Sequence, residues 1–154
     1  MMATAPRVLT VNGQRHEIHS VPATPLIDVL RNELGLTGTR YGCGLEQCGS
    51  CLVLESGVSQ YACTREVGDV GGPITTVEGL SDDPLIAAFV KHQAGQCGYC
   101  LSGILISARA LLNRNPAPTR TEIAAALDGN LCRCGSHVRI LRAVASVAAA
   151  GAAR

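Results

Sequence analysis

This sequence has few aromatic residues and almost no net charge. Its 154 residues include no Trp and a single Phe, and aromatic residues make up 3% of the chain. Hydrophobic residues make up 47%, so a core must be built from Leu, Ile, Val and Ala. The 13 basic and 12 acidic residues leave a formal net charge of +1. A nucleic-acid-binding protein needs a basic face, and this balance argues against nucleic acid as a partner.

Long apolar runs and export signals are missing as well. No apolar stretch approaches the roughly 20 residues that a membrane-spanning helix requires, so we expect no direct membrane insertion. The N-terminal segment MMATAPRVLTVNG has no charged region followed by an apolar one, as a signal peptide would. The expected location is the cytoplasm, with export or membrane association through a partner chain left open.

Cysteine, in contrast, is abundant. In a small secreted chain an even number of cysteines suggests a disulfide framework, but a chain of this length without an export signal does not need such cross-links, and grouped thiols there usually bind metal. We find no nucleophile elbow, P-loop or dinucleotide fingerprint, so no catalytic residues are predicted. The eight cysteines form two groups, Cys43, Cys48, Cys51 and Cys63, then Cys97, Cys100, Cys132 and Cys134.

The first 79 residues have the pattern of a small mixed sheet. Asn12-Gly13 is typical of a two-residue hairpin turn, and Ser56-Gly57 lies at the centre of a second hairpin. Between the hairpins, an apolar face from Leu26 to Leu34 predicts one helix, which Gly35 ends. Strands, one crossing helix and strands again are typical of a β-grasp, or ubiquitin-like, fold. The predicted strands are residues 7–11, 14–20, 52–55, 58–62 and 74–77.

After Gly79 the pattern becomes entirely helical. The segment 81–84 is a helix-start signal that ends in a proline, and Thr119 with Glu122 forms a capping box. We therefore divide the chain into a domain of residues 1–79 and a four-helix domain of residues 80–154, which makes the fold class α+β. The four helices are expected at residues 85–90, 102–113, 119–127 and 138–149.

The spacing of the first cysteine group is diagnostic. Cys43-x4-Cys48-x2-Cys51, completed by a more distant Cys63, matches the plant-type [2Fe–2S] pattern. Glycines permit positive φ angles and bring backbone N–H groups close to sulfur, and the loop supplies Gly42, Gly44 and Gly49. A structural zinc site is the alternative, but zinc usually takes two paired C-x2–4-C units. Three cysteines on one loop favour an iron–sulfur cluster.

The second cysteine group is ambiguous on spacing alone. Cys97-x2-Cys100 lies between the first two predicted helices, and Cys132-x-Cys134 lies between the last two. The N-termini of the helices that follow would place partial positive charge beside an anionic cluster. A C-x2-C facing a C-x-C could equally bind zinc, with His137 as an alternative ligand, although a surface position at a helix start is the simpler interpretation of His137.

Five segments decide between these interpretations: GTRYGCGLEQCGSC, ITTVEGL, QCGYC, NPAPT and GNLCRCG. Together they resemble the small iron–sulfur subunit of the molybdenum hydroxylases, the xanthine dehydrogenase and aldehyde oxidase superfamily, over about residues 8–147. The resemblance implies a plant-ferredoxin-like N-terminal domain and a C-terminal four-helix bundle. It also implies one [2Fe–2S] cluster in each, and so assigns the second cysteine group to a cluster.

The resemblance further implies a direction for electrons. In that family a large catalytic subunit binds molybdopterin, here expected as the cytosine dinucleotide form, and hydroxylates its substrate. Electrons then pass to the helical-domain cluster and on to the ferredoxin-like one, and an FAD or cytochrome c subunit can follow as acceptor. Gln96 matches a position that touches the pterin in relatives, and Cys134 matches the nearest ligand to it.

Substrate class and partner choice remain open at this point. The ending CGSHVRILRAV is most similar to bacterial small subunits that serve N-heteroaromatic substrates, such as nicotinate dehydrogenase or isoquinoline oxidoreductase. An aldehyde-oxidising enzyme of the same superfamily and a free-standing ferredoxin-like carrier are the alternatives. Four departures from the common family pattern leave every ligand in place: Glu46 stands where Gly is frequent, Ser50 where Ala is usual, Leu101-Ser102 replaces Thr-Pro, and Gly135-Ser136-His137 replaces Thr-Gly-Tyr. The charge of Glu46 is expected to lower the potential of the nearby cluster.

Overall fold

The computed structural model describes residues 7–152. Within them it contains one mixed sheet, a short crossing helix and four longer helices. The strands have the spatial order β2-β1-β5-β3-β4, with β1 and β5 parallel and the other neighbours antiparallel. Their bounds are β1 Arg7–Val11, β2 Gln14–Ile18, β3 Leu52–Glu55, β4 Val58–Tyr61 and β5 Ile74–Thr75.

Both hairpins form at the predicted turns. Asn12 and Gly13 have φ angles of 50° and 78°, and Ser56 and Gly57 have 51° and 84°. Positive φ at both central positions is the geometry that matches the twist of two-residue hairpins. The last strand is shorter than predicted, because the chain turns into a 3-10 helix over Val77–Leu80.

The crossing helix is irregular. Its first turn, α1 (Leu26–Asp28), is α-helical, and the chain continues as a π-helical segment over Val29–Glu33. The Leu34 N–H bonds the Val29 carbonyl oxygen at 3.0 Å. The predicted apolar face is confirmed, since Leu26, Ile27 and Leu30 are fully buried against the sheet. Gly35 ends the helix with φ 69°, as expected.

The second half contains the four predicted helices. The Asp83 side chain accepts a hydrogen bond from Leu85 N–H at 2.9 Å, and Thr119 with Glu122 forms the predicted capping box. These caps explain why α2 and α4 begin where they do. The bounds are α2 Pro84–Lys91, α3 Leu101–Arg114, α4 Arg120–Ala126 and α5 His137–Ala152.

Strand β3 is buried on both faces. Val53 packs in the core around the crossing helix, whereas Leu52 and Leu54 on the same strand pack in the core of the helical half. Alternate residues of a strand point to opposite faces, so β3 serves two cores at once. The architecture is the expected α+β fold. The division of the chain near residue 80 stays a prediction. The core of the helical half also contains the buried residues Leu52 and Leu54, which precede that boundary.

Candidate iron–sulfur centres

The first cysteine loop is shaped by its backbone. Gly44 and Gly49 have the expected positive φ, at 69° and 72°, and Glu46 shares this conformation at 57°. Gly42 does not, and it is needed for another reason: a Cβ there would lie 2.6 Å from Cys48 Sγ. The loop therefore closes tightly around a thiol, and Gly42 leaves the room for it.

Backbone N–H groups point at the loop sulfurs. Leu45 and Gln47 each donate to Cys43 Sγ at 3.3 Å, and the Cys43 N–H donates to Cys48 Sγ at 3.4 Å. The Leu45 and Gln47 amides lower the pKa of Cys43 to about 7. Donors arranged in this way stabilise a thiolate, which is the form that binds metal.

The other two thiols of this set are buried. Cys51, directly before β3, is 2% exposed, and Cys63, just after β4, is 8% exposed. The two thiols lie within hydrogen-bonding reach of each other, and burial raises the pKa of Cys51 to about 12. The Cys43 and Cys48 thiols are likewise in hydrogen-bonding reach. The first set is thus two pairs of sulfurs, one accessible and one buried.

The second set forms two pairs across two loops. Cys97 pairs with Cys134, and Cys100 pairs with Cys132, each within hydrogen-bonding reach. Burial raises the pKa of Cys100 to about 12. The pKa of Cys97 is lowered, first by the Tyr99 N–H.

Two helices begin next to this second set, as predicted. α3 begins directly after Cys100, and α5 begins three residues after Cys134. Ser136 N–H donates to Cys132 Sγ at 3.4 Å. Burial opposes ionisation of Cys132, but this N–H and that of Gly135 outweigh it and lower its pKa. His137 is the first residue of α5 and is half-buried.

Gln96 lies beside the outermost pair of the second set. Its Nε2 donates to the Cys134 carbonyl oxygen at 3.1 Å, and the residue is exposed. Cys97, the next residue, is the one exposed cysteine of the eight. The amide therefore marks the side of the helical loops that a partner can reach.

The two cysteine loops touch each other through their backbones. The Leu131 N–H donates to the Cys48 carbonyl oxygen at 3.0 Å, and so joins a residue next to Cys132 to a member of the first set. Asn130 Nδ2 bonds the Gly49 carbonyl oxygen at 3.4 Å, in the buried zone between the loops. A third buried hydrogen bond joins α3 to the first loop: Ser102 Oγ donates to the Ser50 carbonyl oxygen at 3.3 Å.

None of these bridging residues was predicted from the sequence. Leu131 and Asn130 contribute a backbone N–H and a common loop amide, which leave no distinctive pattern. Gly103 could have been noticed as a glycine inside a predicted helix, which often has a packing reason. Here the reason is close approach, since a Cβ at Gly103 would lie 1.8 Å from the Gly49 carbonyl oxygen.

The donor chemistry of both sets fits a two-iron cluster. A [2Fe–2S] cluster is held by four cysteine thiolates, and each set supplies four thiols in two adjacent pairs. Within residues 7–152, no three His, Cys, Asp or Glu side chains converge closely enough to share one metal ion. No described helix has the length and hydropathy to cross a membrane.

Two protein-family models, each of a [2Fe–2S] domain, match this chain. Residues 9–72 match the model of a 2Fe-2S iron-sulfur cluster binding domain, and residues 76–145 match that of a [2Fe-2S] binding domain. The fold and the two thiol sets therefore define a protein with two [2Fe–2S] clusters, built for electron transfer.

Whole-chain relatives narrow the class to a family. The chain is 49% identical to a nicotinate dehydrogenase subunit of Pseudomonas putida, covering 88% of this chain and 90% of that one. It is 42% identical to the alpha subunit of isoquinoline 1-oxidoreductase of Brevundimonas diminuta, with 87% and 91% covered. A chain of quinoline 2-oxidoreductase from P. putida superposes with a TM-score of 0.89 at 39% identity, with 96% of both chains covered.

The chain belongs to the small iron–sulfur subunits of the molybdenum hydroxylases. Such subunits are the electron-transfer component of oxidoreductases whose molybdopterin cofactor is held by a large partner subunit. In the aldehyde oxidoreductase of Desulfovibrio desulfuricans, the matching region is 17% of one longer chain, with a TM-score of 0.90 at 37% identity. The resemblance that the sequence motifs indicated is thereby confirmed.

Proposed function

We propose that each cysteine set ligates one [2Fe–2S] cluster, and that the chain relays electrons singly from the helical side to the ferredoxin-like side. A bound [2Fe–2S] cluster supplies reversible one-electron chemistry. The proposal is supported by the paired thiols and by the amide N–H groups that donate to them. The proposed ligands are Cys43, Cys48, Cys51 and Cys63 for one cluster, and Cys97, Cys100, Cys132 and Cys134 for the other.

The observation that carries this proposal is the direct contact between the two loops. Electron transfer between centres is fast only over short distances, and bonded atoms with hydrogen bonds provide a better path than empty space. The Leu131 N–H to Cys48 carbonyl bond connects the two sets through a few backbone atoms. We infer that the inter-cluster route uses this bond, from Cys132 through Leu131 to Cys48.

Substitution of one cysteine in each set tests the ligand assignment. Cys63→Ser is expected to remove one of two EPR signals of the dithionite-reduced protein, and Cys132→Ser the other. Iron and acid-labile sulfide should each be present at four atoms per chain in the wild type, since each cluster contains two of each. Zinc in place of iron, or one EPR signal in the wild type, would contradict the proposal.

Gln96 is proposed to contact the pterin cofactor on the large subunit. Gln96 is exposed and polar, and its Nε2 donates to the carbonyl oxygen of Cys134. A hydrogen bond from Gln96 to the pterin would therefore connect the pterin to Cys134, a proposed cluster ligand. Gln96→Ala is expected to slow reduction of the clusters by substrate while leaving both midpoint potentials unchanged. Gln14→Ala, at an exposed position on β2, is the matched control.

The substrate of the assembled enzyme is proposed to be an N-heteroaromatic compound of the nicotinate type. Four relatives at 49%, 42%, 44% and 39% identity are named for nicotinate, isoquinoline, nicotine and again nicotinate, and the aldehyde oxidoreductase subunit of Escherichia coli is 39% identical. Nicotinate added to the complex purified with its large subunit should reduce both clusters. Reduction by an aromatic aldehyde alone would contradict this choice.

The acceptor is proposed to be an FAD or cytochrome c subunit, and the molybdopterin to be the cytosine dinucleotide form. The relatives are multi-subunit enzymes in which this subunit is the iron–sulfur component. Purification from the native source, with identification of the co-purifying chains, distinguishes a flavin from a haem by absorbance. Purification without any large partner would instead favour a free-standing carrier.

A further inference from the structure

Ser136 is a buried residue whose hydroxyl makes no well-formed hydrogen bond. The residue is 2% exposed, and no atom of the described part of the chain meets its Oγ in good hydrogen-bonding geometry. Burying a hydroxyl without a hydrogen bond is unfavourable, and buried polar groups in folded proteins are nearly always paired. The Ser136 side chain lies close enough to Cys132 to act on its sulfur, and the position needs an acceptor there that meets the hydroxyl in good geometry.

Helix capping does not account for this hydroxyl. Serine just before a helix commonly accepts a hydrogen bond from an N–H of the first turn through its Oγ. Here the N–H groups of Arg139 and Ile140 instead bond the Ser136 carbonyl oxygen, at 3.0 and 3.1 Å. The Ser136 Oγ is therefore not used as a cap acceptor, and its hydroxyl proton can be donated to another group.

The surroundings of Ser136 are those of the second cysteine set. Its own N–H donates to Cys132 Sγ at 3.4 Å, and the hydroxyl belongs to the same residue as that nitrogen. Cys132 in turn pairs with Cys100. Thiolate and sulfide sulfurs are acceptors, and the hydroxyl hydrogen can rotate to meet one. A sulfur of the cluster fits the acceptor that this hydroxyl needs.

We propose that the Ser136 hydroxyl donates a hydrogen bond to a sulfur of the helical-domain cluster and thereby raises its reduction potential. The reduced cluster carries one more negative charge, so a donor at sulfur stabilises the reduced state more than the oxidised one. In this role Ser136 tunes the reduction potential of the helical-domain cluster, so that the cluster accepts an electron more readily. The proposal rests on the ligand sets proposed above.

EPR-monitored redox titration of the complex with its large subunit tests this role. Ser136→Ala and Ser136→Gly remove the hydroxyl, and Gly is well tolerated at a helix N-cap. Both variants should shift the midpoint of the helical-domain signal to more negative potential. The reduced-to-oxidised ratio at a fixed potential should fall by up to about tenfold, which equals about 59 mV for a one-electron couple. The ferredoxin-like signal should keep its midpoint.

Two further variants separate this role from a structural one. Ser136→Thr keeps the hydroxyl and should leave the helical-domain midpoint close to that of the wild type. Ser146→Ala removes a hydroxyl of α5, the helix that follows Ser136; this hydroxyl donates to the Ala143 carbonyl oxygen at 2.7 Å, and its loss should move neither midpoint.

Three outcomes would overturn the role of Ser136: an unchanged helical-domain midpoint in Ser136→Ala, an equal shift of both midpoints, or loss of the helical-domain signal in both the Ala and Gly variants. The last counts against it because a hydroxyl that only tunes the potential is not needed for assembly. A wild type without two signals would refute the ligand sets instead.

Discussion

At the scale of single residues, the first cysteine loop depends on backbone positions where side chains carry a cost. Gly42 leaves room for the Cys48 sulfur, and Gly44 and Gly49 take positive φ. Glu46 takes the same left-handed conformation with a full side chain, at φ 57°, which is disfavoured by about 1 kcal/mol or more. Its carboxylate accepts a hydrogen bond from Thr64 Oγ1, which holds a negative charge next to the cysteine loop.

Replacement of Glu46 should change both cluster potential and stability. Glu46→Gly removes the charge and the strain together, so the ferredoxin-like midpoint should rise and the free energy of unfolding should increase by about 1 kcal/mol. Glu46→Gln removes only the charge and should raise the midpoint without the gain in stability. Redox titration and urea unfolding measure the two effects. An unchanged midpoint in both variants would dismiss the electrostatic role.

In the first half of the chain, Glu55 forms an ion pair with Arg65. Its carboxylate accepts from Arg65 Nη2 at 3.0 Å and from the Gly71 N–H at 2.8 Å. Burial alone would raise the pKa of Glu55, but the Gly71 amide and the Arg65 guanidinium outweigh it and hold the pKa below its usual value of 4.5. A carboxyl whose folded-state pKa is depressed stabilises the fold above the unfolded-state pKa and loses this contribution as pH falls through the folded-state pKa.

Glu55→Gln should therefore destabilise the protein in a pH-dependent way. At pH 7 we expect a loss of about 1–2 kcal/mol, as for hydrogen bonds to a charged group, and a shrinking difference from wild type as the pH drops below about 4.5. Urea unfolding followed by far-UV circular dichroism from about pH 7 to about pH 3, through the range in which the carboxyl protonates, measures this. Glu17→Gln, at an exposed position on β2, is the control. A difference independent of pH would contradict the assignment.

At the scale of elements, α3 is the helix that brings the two cysteine loops together. Its first turn carries Ser102, which bonds the first loop, and Gly103, which lets the backbones approach. The following turns are buried on nearly every side, with Ile104 and Ile106 fully enclosed. A helix that is apolar all round is expected in the middle of a fold, and α3 lies between the sheet and the other helices.

Gly103→Ala should separate the two loops. Alanine normally favours a helix over glycine by about 1 kcal/mol, but here its Cβ would overlap the Gly49 carbonyl oxygen, 1.8 Å away. We expect a net destabilisation of about 1–3 kcal/mol and slower electron transfer between the clusters, measured by urea unfolding and rapid-mixing reduction. Gly151→Ala, in α5 with open space around it, should be neutral or slightly stabilising. Equal behaviour of the two variants would refute the close-approach argument.

At the scale of the whole molecule, the two halves of the chain share a strand. Leu52 and Leu54 belong to the core of the helical half, while Val53 between them belongs to the core around the crossing helix. The bonds between the cysteine loops add polar contacts to this apolar one. Removal of either half would expose one face of β3 to water, which costs roughly 25 cal/mol for each Å² of apolar surface.

The intact chain should therefore unfold as one unit. Far-UV circular dichroism and the visible absorbance of the clusters are expected to change together in urea, since coincident transitions by different probes mark cooperative unfolding. A fragment of residues 80–154 should be largely unfolded or aggregated on its own. Two separate transitions, or a stable helical fragment, would support independent domains instead.

Local structure could be predicted from neighbouring residues, and the spacing of the first cysteine group predicted a cluster there. Turn dipeptides, caps and hydrophobic periodicity depend on neighbouring residues, so both hairpins and all four helices could be predicted within a few residues of their observed ends. The spacing of Cys43, Cys48 and Cys51 is equally local, because one loop must wrap one centre. The π-helical segment after Asp28 was missed, since its pattern does not differ from that of an α-helix.

The tertiary structure alone decided how the parts meet. The burial of β3 on both faces, the fit of Gly103 against Gly49 and the bond from Leu131 to Cys48 join residues distant in the chain. Backbone groups such as these are present in every residue and leave no trace in composition or spacing. The second cysteine set was ambiguous from spacing for the same reason: its pairs, Cys97 with Cys134 and Cys100 with Cys132, form only when two helix-linking loops pack together.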